Sequence, residues 1–199
     1  MTTAFAFDLD GTITREEILP IIAAELDLER EMLTLTELTL SGAIDFEDSF
    51  RLRCAILRAV PISEVRRIVQ RVQLAEHLVE FIQARPDDCY VVTGNLDVWV
   101  APILDRLGCR SFTSVAKAQG DTLLNVASVL NKSEPVRTLL PRYERVVSVG
   151  DSVNDIPMFE EAHVRVAFGG VHRPAPSLYE TSDYAVYTEE ALCRLLTTL

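Results

Sequence analysis

Two short segments hold the side chains whose types and spacing could do chemistry. The first is Asp8-Leu9-Asp10-Gly11-Thr12, which follows the apolar, aromatic-rich run Phe5-Ala6-Phe7. The second is Gly150-Asp151-Ser152-Val153-Asn154-Asp155, which follows Val146-Val147-Ser148-Val149. Both read as buried strands delivering carboxylates into a turn. One Asp before Gly is a common turn former. Two acidic strand ends, far apart in sequence and each behind a β-branched or aromatic run, point to a site. Acids one residue apart repel each other unless a cation lies between them, and such a pair suits a hard ion that takes carboxylate and carbonyl oxygens. Mg²⁺ is the expected cofactor.

Two more strand or loop ends join them. Thr93-Gly94-Asn95 follows Val91-Val92, and Lys132 precedes Ser133-Glu134-Pro135 at a helix start. A carboxylate nucleophile, a hydroxyl with an exposed amide, a lysine and metal-binding acids form a set for phosphoryl transfer. That chemistry needs in-line attack, a metal bridging nucleophile and phosphoryl oxygens, and donors for the equatorial oxygens. No serine-histidine-acid set, Walker-type glycine loop or Gly-x-Gly-x-x-Gly run competes with it. The expected partner is a small-molecule phosphate ester.

The elements that must position these residues alternate along the chain. After the first strand, residues 15–85 carry helical patterns at 15–26, 29–40, 46–60, 63–74 (with Ser63 as cap) and 75–85. Pro20 is tolerable only in a first turn or at a kink. Strand and helix then alternate: a strand at 89–93, a helix at 96–107, and β-like pieces at 112–116 and 122–126 joined at Gln119-Gly120-Asp121. A helix at 133–140, a strand at 146–149, a helix at 155–162, strands at 164–168 and 184–187 and a helix at 189–196 complete the chain. This order predicts an α/β fold, a Rossmann-like parallel sheet with helices on both faces. A small α-helical cap at 15–75 is inserted after the first strand of a core formed by 1–14 and 76–199. Ligands of such sheets bind beyond the carboxyl ends of the strands, where both acidic turns fall.

Composition bounds the partners. The 199 residues are 48% hydrophobic, enough for a full core, and the net charge of −11 argues against nucleic acid or an acidic membrane surface. Cys54, Cys89, Cys109 and Cys193 are scattered, and His77, His163 and His172 show no ligand spacing. Charge appears by Asp8, ahead of any signal-peptide pattern, and no apolar run is long enough to span a bilayer. A cytoplasmic location is expected.

With these residues in place, the sequence resembles the haloacid-dehalogenase-like superfamily, whose hallmark is Asp-x-Asp-Gly-Thr after a first strand. The later Thr-Gly, Lys and Gly-Asp-x-x-x-Asp elements follow in the family's order, within a framework from Phe5 to about Phe168. The resemblance implies that Asp8 becomes an aspartyl-phosphate and that Asp10 protonates the leaving oxygen, then accepts a proton from water. Thr93 and the Gly94 amide would hold the phosphoryl group, and Lys132 would offset its charge. Asp151 would join Asp8 and the Asp10 carbonyl on Mg²⁺, while Asp155 would orient Lys132 or a metal-bound water. Dehalogenase members lack the second Asp, having no alkoxide to protonate, so Asp10 favours phosphate esters.

The run from Thr36 to Arg53 is similar to the helical cap of phosphoserine phosphatases. Glu17, Phe46 and Arg53 fall where that group contacts the amino, apolar and carboxylate parts of its substrate, and Asn154 is a further expected substrate contact. Independently, Phe46, Phe50, Arg53 and Leu57 share one helix face, so a guanidinium interrupts an apolar stripe and needs an anion. Gly11 stands where many of that group carry serine, Leu40 where they often have methionine, and the segment 169–176 is longer than usual. A phosphotransferase passing the aspartyl-phosphate to an alcohol uses the same residues. A signalling receiver domain, with adjacent acids and its phospho-accepting Asp on a middle strand, fits the order poorly.

Overall fold

β1 (Thr3–Phe7) lies at the centre of a seven-stranded sheet, flanked by β2 (Cys89–Leu96) and β5 (Arg145–Gly150), both parallel to it. The structure, a computed structural model, describes residues 2–199 and, of these, every side chain but that of Leu40. Outward on one side come β3 (Arg110–Gln119) and β4 (Thr122–Ser128), and on the other β6 (Val164–Phe168) and β7 (Tyr184–Val186). Among the described strands of this sheet, β3 and β4 alone pair antiparallel. The crossovers are α5 (Glu76–Gln83), α6 (Asp97–Leu107), α7 (Ser133–Leu139), α8 (Ile156–Glu161) and α9 (Pro176–Thr181), and α10 (Glu189–Thr198) ends the chain.

Strand alternation divides the core in two. Phe5 and Phe7 of β1 pack with Val91, Val147 and Val149 on one face, while Ala4 and Ala6 pack with Val92, Val146, Met158 and Phe159 on the other. Both faces are therefore dry, as a mostly parallel sheet requires.

Between β1 and α5 lie α1 (Ile18–Glu25), α2 (Glu29–Leu40), α3 (Phe46–Leu57) and α4 (Ile62–Val69). The chain enters and leaves this stretch side by side. Thr14 bridges Leu74, the Arg15 N–H donates to the Gln73 carbonyl at 2.9 Å, and the Ala75 N–H donates to the Ile13 carbonyl at 2.8 Å. That pairing delays α1 until Ile18, three residues beyond the predicted start, and Pro20 falls in its first turn.

Other departures from the predicted elements have local causes. Pro61, not Ser63, occupies the N-cap of α4. The helix end is closed from the β3–β4 turn, where Asp121 accepts from the Ser63 N–H at 2.7 Å and its hydroxyl at 2.6 Å. Pro102 lies inside α6 and cannot donate to the Val98 carbonyl, which instead accepts from Arg66 Nε at 2.6 Å. β3 runs ten residues because its first half pairs with β2 and its second half with β4. The proline-rich stretch around α9 reads as loop, yet it forms a short helix started by Pro176 at its first position.

Candidate active site

The two acidic turns meet beyond the carboxyl ends of β1 and β5. The Asp8 N–H donates to the Val149 carbonyl at 2.9 Å, which fixes where the first turn leaves the sheet. Lys132, just ahead of α7, reaches Asp8 Oδ1 at 2.6 Å and Asp155 Oδ1 at 2.8 Å, with all three side chains buried. The other Asp155 oxygen accepts from the Asp151 and Ser152 N–H groups, each at 3.0 Å. Asp155 can fold back this way because Gly150 has no Cβ; one placed there would stand 2.4 Å from the Asp155 carboxyl. Gly11 has a similar reason for being glycine. Its φ is +67°, and a Cβ would lie 2.3 Å from Asp151 Oδ2. A serine at this position cannot coexist with this placement of Asp151.

Asp10 is held from both sides. Its Oδ1 accepts from the Ile18 N–H at the start of α1, at 2.8 Å, and its Oδ2 accepts from Asn95 Nδ2. The Asn95 amide also donates to Thr93 Oγ1 at 3.2 Å, and the Asn95 N–H donates to the same oxygen at 3.1 Å. Thr93 is fully buried and keeps its own hydroxyl proton for another acceptor.

Acids outnumber cations here. Burial, then the Asp155 charge, holds Asp8 well above the usual carboxylate range against the pull of Lys132. Burial, then Glu17, raises Asp10 to about 7, opposed by the Ile18 N–H, Lys132 and Asn95. Burial, then Asp155 and Glu17, raises Asp151 to about 8. Burial disfavours the Lys132 charge, but Asp155 and Asp8 outweigh it and push its pKa up. Such a cluster ionises fully only beside an added cation. Carboxylate oxygens of Asp8, Asp151 and Asp155 lie within 4.8 Å of one another, and Asp151 Oδ1 is buried with no hydrogen-bond partner. Asp155 is committed to Lys132 and two amides. Asp8 and Asp151 are thus the carboxylates with capacity left for a hard cation, which their oxygens fit.

Above this floor opens a cavity of about 480 Å³ that Asp8, Asp10, Gly94 and Lys132 share with helical residues. Glu17, Phe46, Arg53 and Asn154 all line it, so the structure brings these predicted residues together with the acids; Thr93, Asp151 and Asp155 lie beneath the lining. Phe46 stands over Gly94, its ring 3.6 Å from where a Cβ would be. Arg53 donates to the Thr36 hydroxyl at 2.9 Å and the Ser49 hydroxyl at 3.4 Å. Among the described residues no carboxylate lies within ion-pair distance of its guanidinium. Burial lowers its pKa, and Glu17 opposes this. The Leu40 side chain lies outside the described residues.

Two side chains at the site escape the sequence motifs. Asn95 was visible only as the residue after Thr93-Gly94, with nothing local to tie it to Asp10. The histidine spacings point to no shared site, yet the long segment after β6 brings His172 Nε2 to 3.3 Å from Glu17 and 3.9 Å from Asp151. Contacts of this kind join separate elements and leave no periodic trace.

The chain's resemblance to known proteins agrees with this geometry. The family model for haloacid dehalogenase-like hydrolases matches residues 5–160. Phosphoserine phosphatase of Methanocaldococcus jannaschii is 30% identical over 193 residues, covering 90% of each chain. The Halobacterium salinarum phosphoserine phosphatase is 28% identical, covering 98% of this chain and 97% of its own. A substrate-bound phosphoserine phosphatase complex superposes with a TM-score of 0.80 at 25% identity, covering 100% of this chain and 98% of that one. With the matched segment running from β1 through both acidic turns, the chain belongs to the haloacid dehalogenase-like hydrolase family.

Proposed function

We propose that the protein is a Mg²⁺-dependent phosphomonoesterase that works through an aspartyl-phosphate on Asp8. The observation that carries this reading is the Asp8–Asp10 pair opening into one cavity, with Asp8 fixed by Lys132 and Asp10 held by the Ile18 and Asn95 donors. The free Asp8 oxygen attacks phosphorus while the bond to the ester oxygen breaks, and protonated Asp10 gives its proton to the departing alkoxide. A water then attacks the same phosphorus, passes its proton to Asp10, and the phosphorus–Asp8 bond breaks to release phosphate. Thr93 and the Gly94 amide hold the phosphoryl oxygens, and Lys132 offsets their charge. Asp8, Asp151 and the Asp10 carbonyl would hold a divalent cation, which would offset the negative charge of the carboxylates and the phosphoryl group.

Residues 15–75 act as a cap over a core of 1–14 and 76–199, and the substrate is a small amino-acid-like phosphate such as phosphoserine. Arg53 supports this, as a guanidinium on the cavity wall whose hydrogen-bond partners among the described residues are hydroxyls, leaving it free to take a carboxylate. Glu17 lines the same cavity and suits an ammonium group. Asn154 is the further contact at the rim. Among the described residues no helix is long and apolar enough to cross a membrane. The place of action in this proposal is the cytoplasm.

A panel of phosphomonoesters assayed with Mg²⁺ tests the proposal. Phosphoserine should rank among the best substrates, and chelator should abolish turnover of all of them. Undiminished turnover in chelator would remove the metal from the reaction.

A further inference from the structure

We propose that Asn95 is a positioning residue that fixes the carboxyl of Asp10 for proton transfer. The proposal rests on the phosphomonoesterase reading above. Asn95 is only 5% exposed, and it is anchored before it reaches Asp10. Its backbone N–H and its side-chain amide both donate to Thr93 Oγ1, so the amide plane is tied to the end of β2. The same amide nitrogen donates to Asp10 Oδ2 while the Ile18 N–H donates to Oδ1. Donors from opposite elements, the β2 end and the α1 start, thus clamp the two oxygens of one carboxyl group. A carboxyl gripped at one oxygen can turn about its last bond; one gripped at both cannot.

The orientation matters because Asp10 must serve two proton transfers with one geometry. It first gives a proton to the leaving oxygen and then takes one from the attacking water at the same place in line with phosphorus. The amide of the opposite orientation would set its carbonyl oxygen against Asp10, acceptor against acceptor, so donation is the arrangement the site supports. Asn95 gives up no proton of its own. It acts through Asp10.

The test exploits leaving groups. Release of 4-nitrophenolate needs no proton, whereas the alkoxide of phosphoserine does. In Asn95→Ala, kcat/KM for phosphoserine should fall about 10- to 100-fold, because a misplaced general acid forfeits much of its contribution. For 4-nitrophenyl phosphate kcat/KM should stay within about threefold, since this parameter reports only formation of the phospho-enzyme. Water attack still needs Asp10, so the variant should release a burst of nitrophenolate ahead of a slowed steady state. Both substrates are measured on one sample, so a smaller folded fraction cancels from the ratio. Should Asn95→Ala fail to fold, Asn95→Ser, whose hydroxyl is too short to span Thr93 and Asp10, carries the same test. Equal losses on both substrates without a burst would overturn the role of Asn95. Wild-type protein inactive on both would instead overturn the phosphomonoesterase reading, and the inference with it.

Discussion

Around Asp8, the carboxyls of Asp8, Asp10 and Asp155 are each held by donors at strand ends and helix starts, whereas across the cavity Arg53 leans on two hydroxyls and Phe46 stands 41% exposed. The floor is assembled from strand ends that pair in register, so its geometry follows from the core. The wall is assembled from short helices that meet the sheet through loops and one hairpin. The difference separates what the molecule must do from what it chooses. Bond breaking tolerates little displacement. Selecting among esters requires only that a few groups face inward, and such a surface can vary without loss of fold.

The largest expected effect lies in the floor. Asp8→Asn is nearly isosteric but removes the nucleophile, and turnover should drop on the order of 10⁴-fold or more for every ester. A beryllium fluoride phosphate mimic bonded to another side chain in a crystal would break the assignment. The wall should respond selectively. Arg53→Ala should lower kcat/KM for phosphoserine roughly 30- to 150-fold, the loss of a charge-assisted hydrogen bond in a partly desolvated site. An aryl phosphate without a carboxylate should be nearly unaffected. Equal losses would make Arg53 a support for the wall rather than a reader of substrate.

Stability should also distinguish the regions, through pH. Asp10 at about 7 and Asp151 at about 8 lie above the ordinary carboxylate value near 3.9. Between about pH 4 and pH 8 the folded protein therefore binds more protons than the unfolded chain, and metal-free stability falls as pH rises. Lys132 adds no slope there, because its raised pKa lies above this window and it stays charged in both states. Mg²⁺ needs the carboxylates ionised, so its stabilisation should grow with pH. Thermal melts should show a metal-free Tm lower by on the order of 5 °C at pH 8 than at pH 5, with Mg²⁺ closing the gap. A metal-free Tm that rises over this range would mean the acids are not the strained part of the site.

Legibility in the sequence divides along similar lines. The acidic turns could be read because each follows a short run of apolar residues whose burial leaves one conformation, as Phe5–Phe7 and Val146–Val149 do. Arg53 could be read because it interrupts a helical stripe. Asn95, His172 and Asp121 could not. Each works through a partner on a distant element: Asp10 for Asn95, Glu17 for His172, Ser63 for Asp121. Helix α9 was obscured for a different reason, since Pro174 and Pro176 signal a loop as strongly as a helix start.

The smallest effect concerns what holds the wall in place. Asp121 sits at the tip of the β3–β4 hairpin and accepts from the N–H and hydroxyl of Ser63, closing the start of α4. Those bonds hold its carboxyl below the usual range. A depressed carboxylate stabilises the folded state above its unfolded pKa, and the contribution disappears as pH falls through the folded value. Asp121→Ala should therefore lower Tm by no more than about 4 °C at neutral pH, and the gap from wild type should close in acid. Among the described residues no hydrogen bond or ion pair joins this turn to the acids of the floor, so kcat/KM for an aryl phosphate should hold within about twofold. A larger loss on that substrate would mean that the hairpin positions the floor as well, and the two regions could no longer be treated as separate.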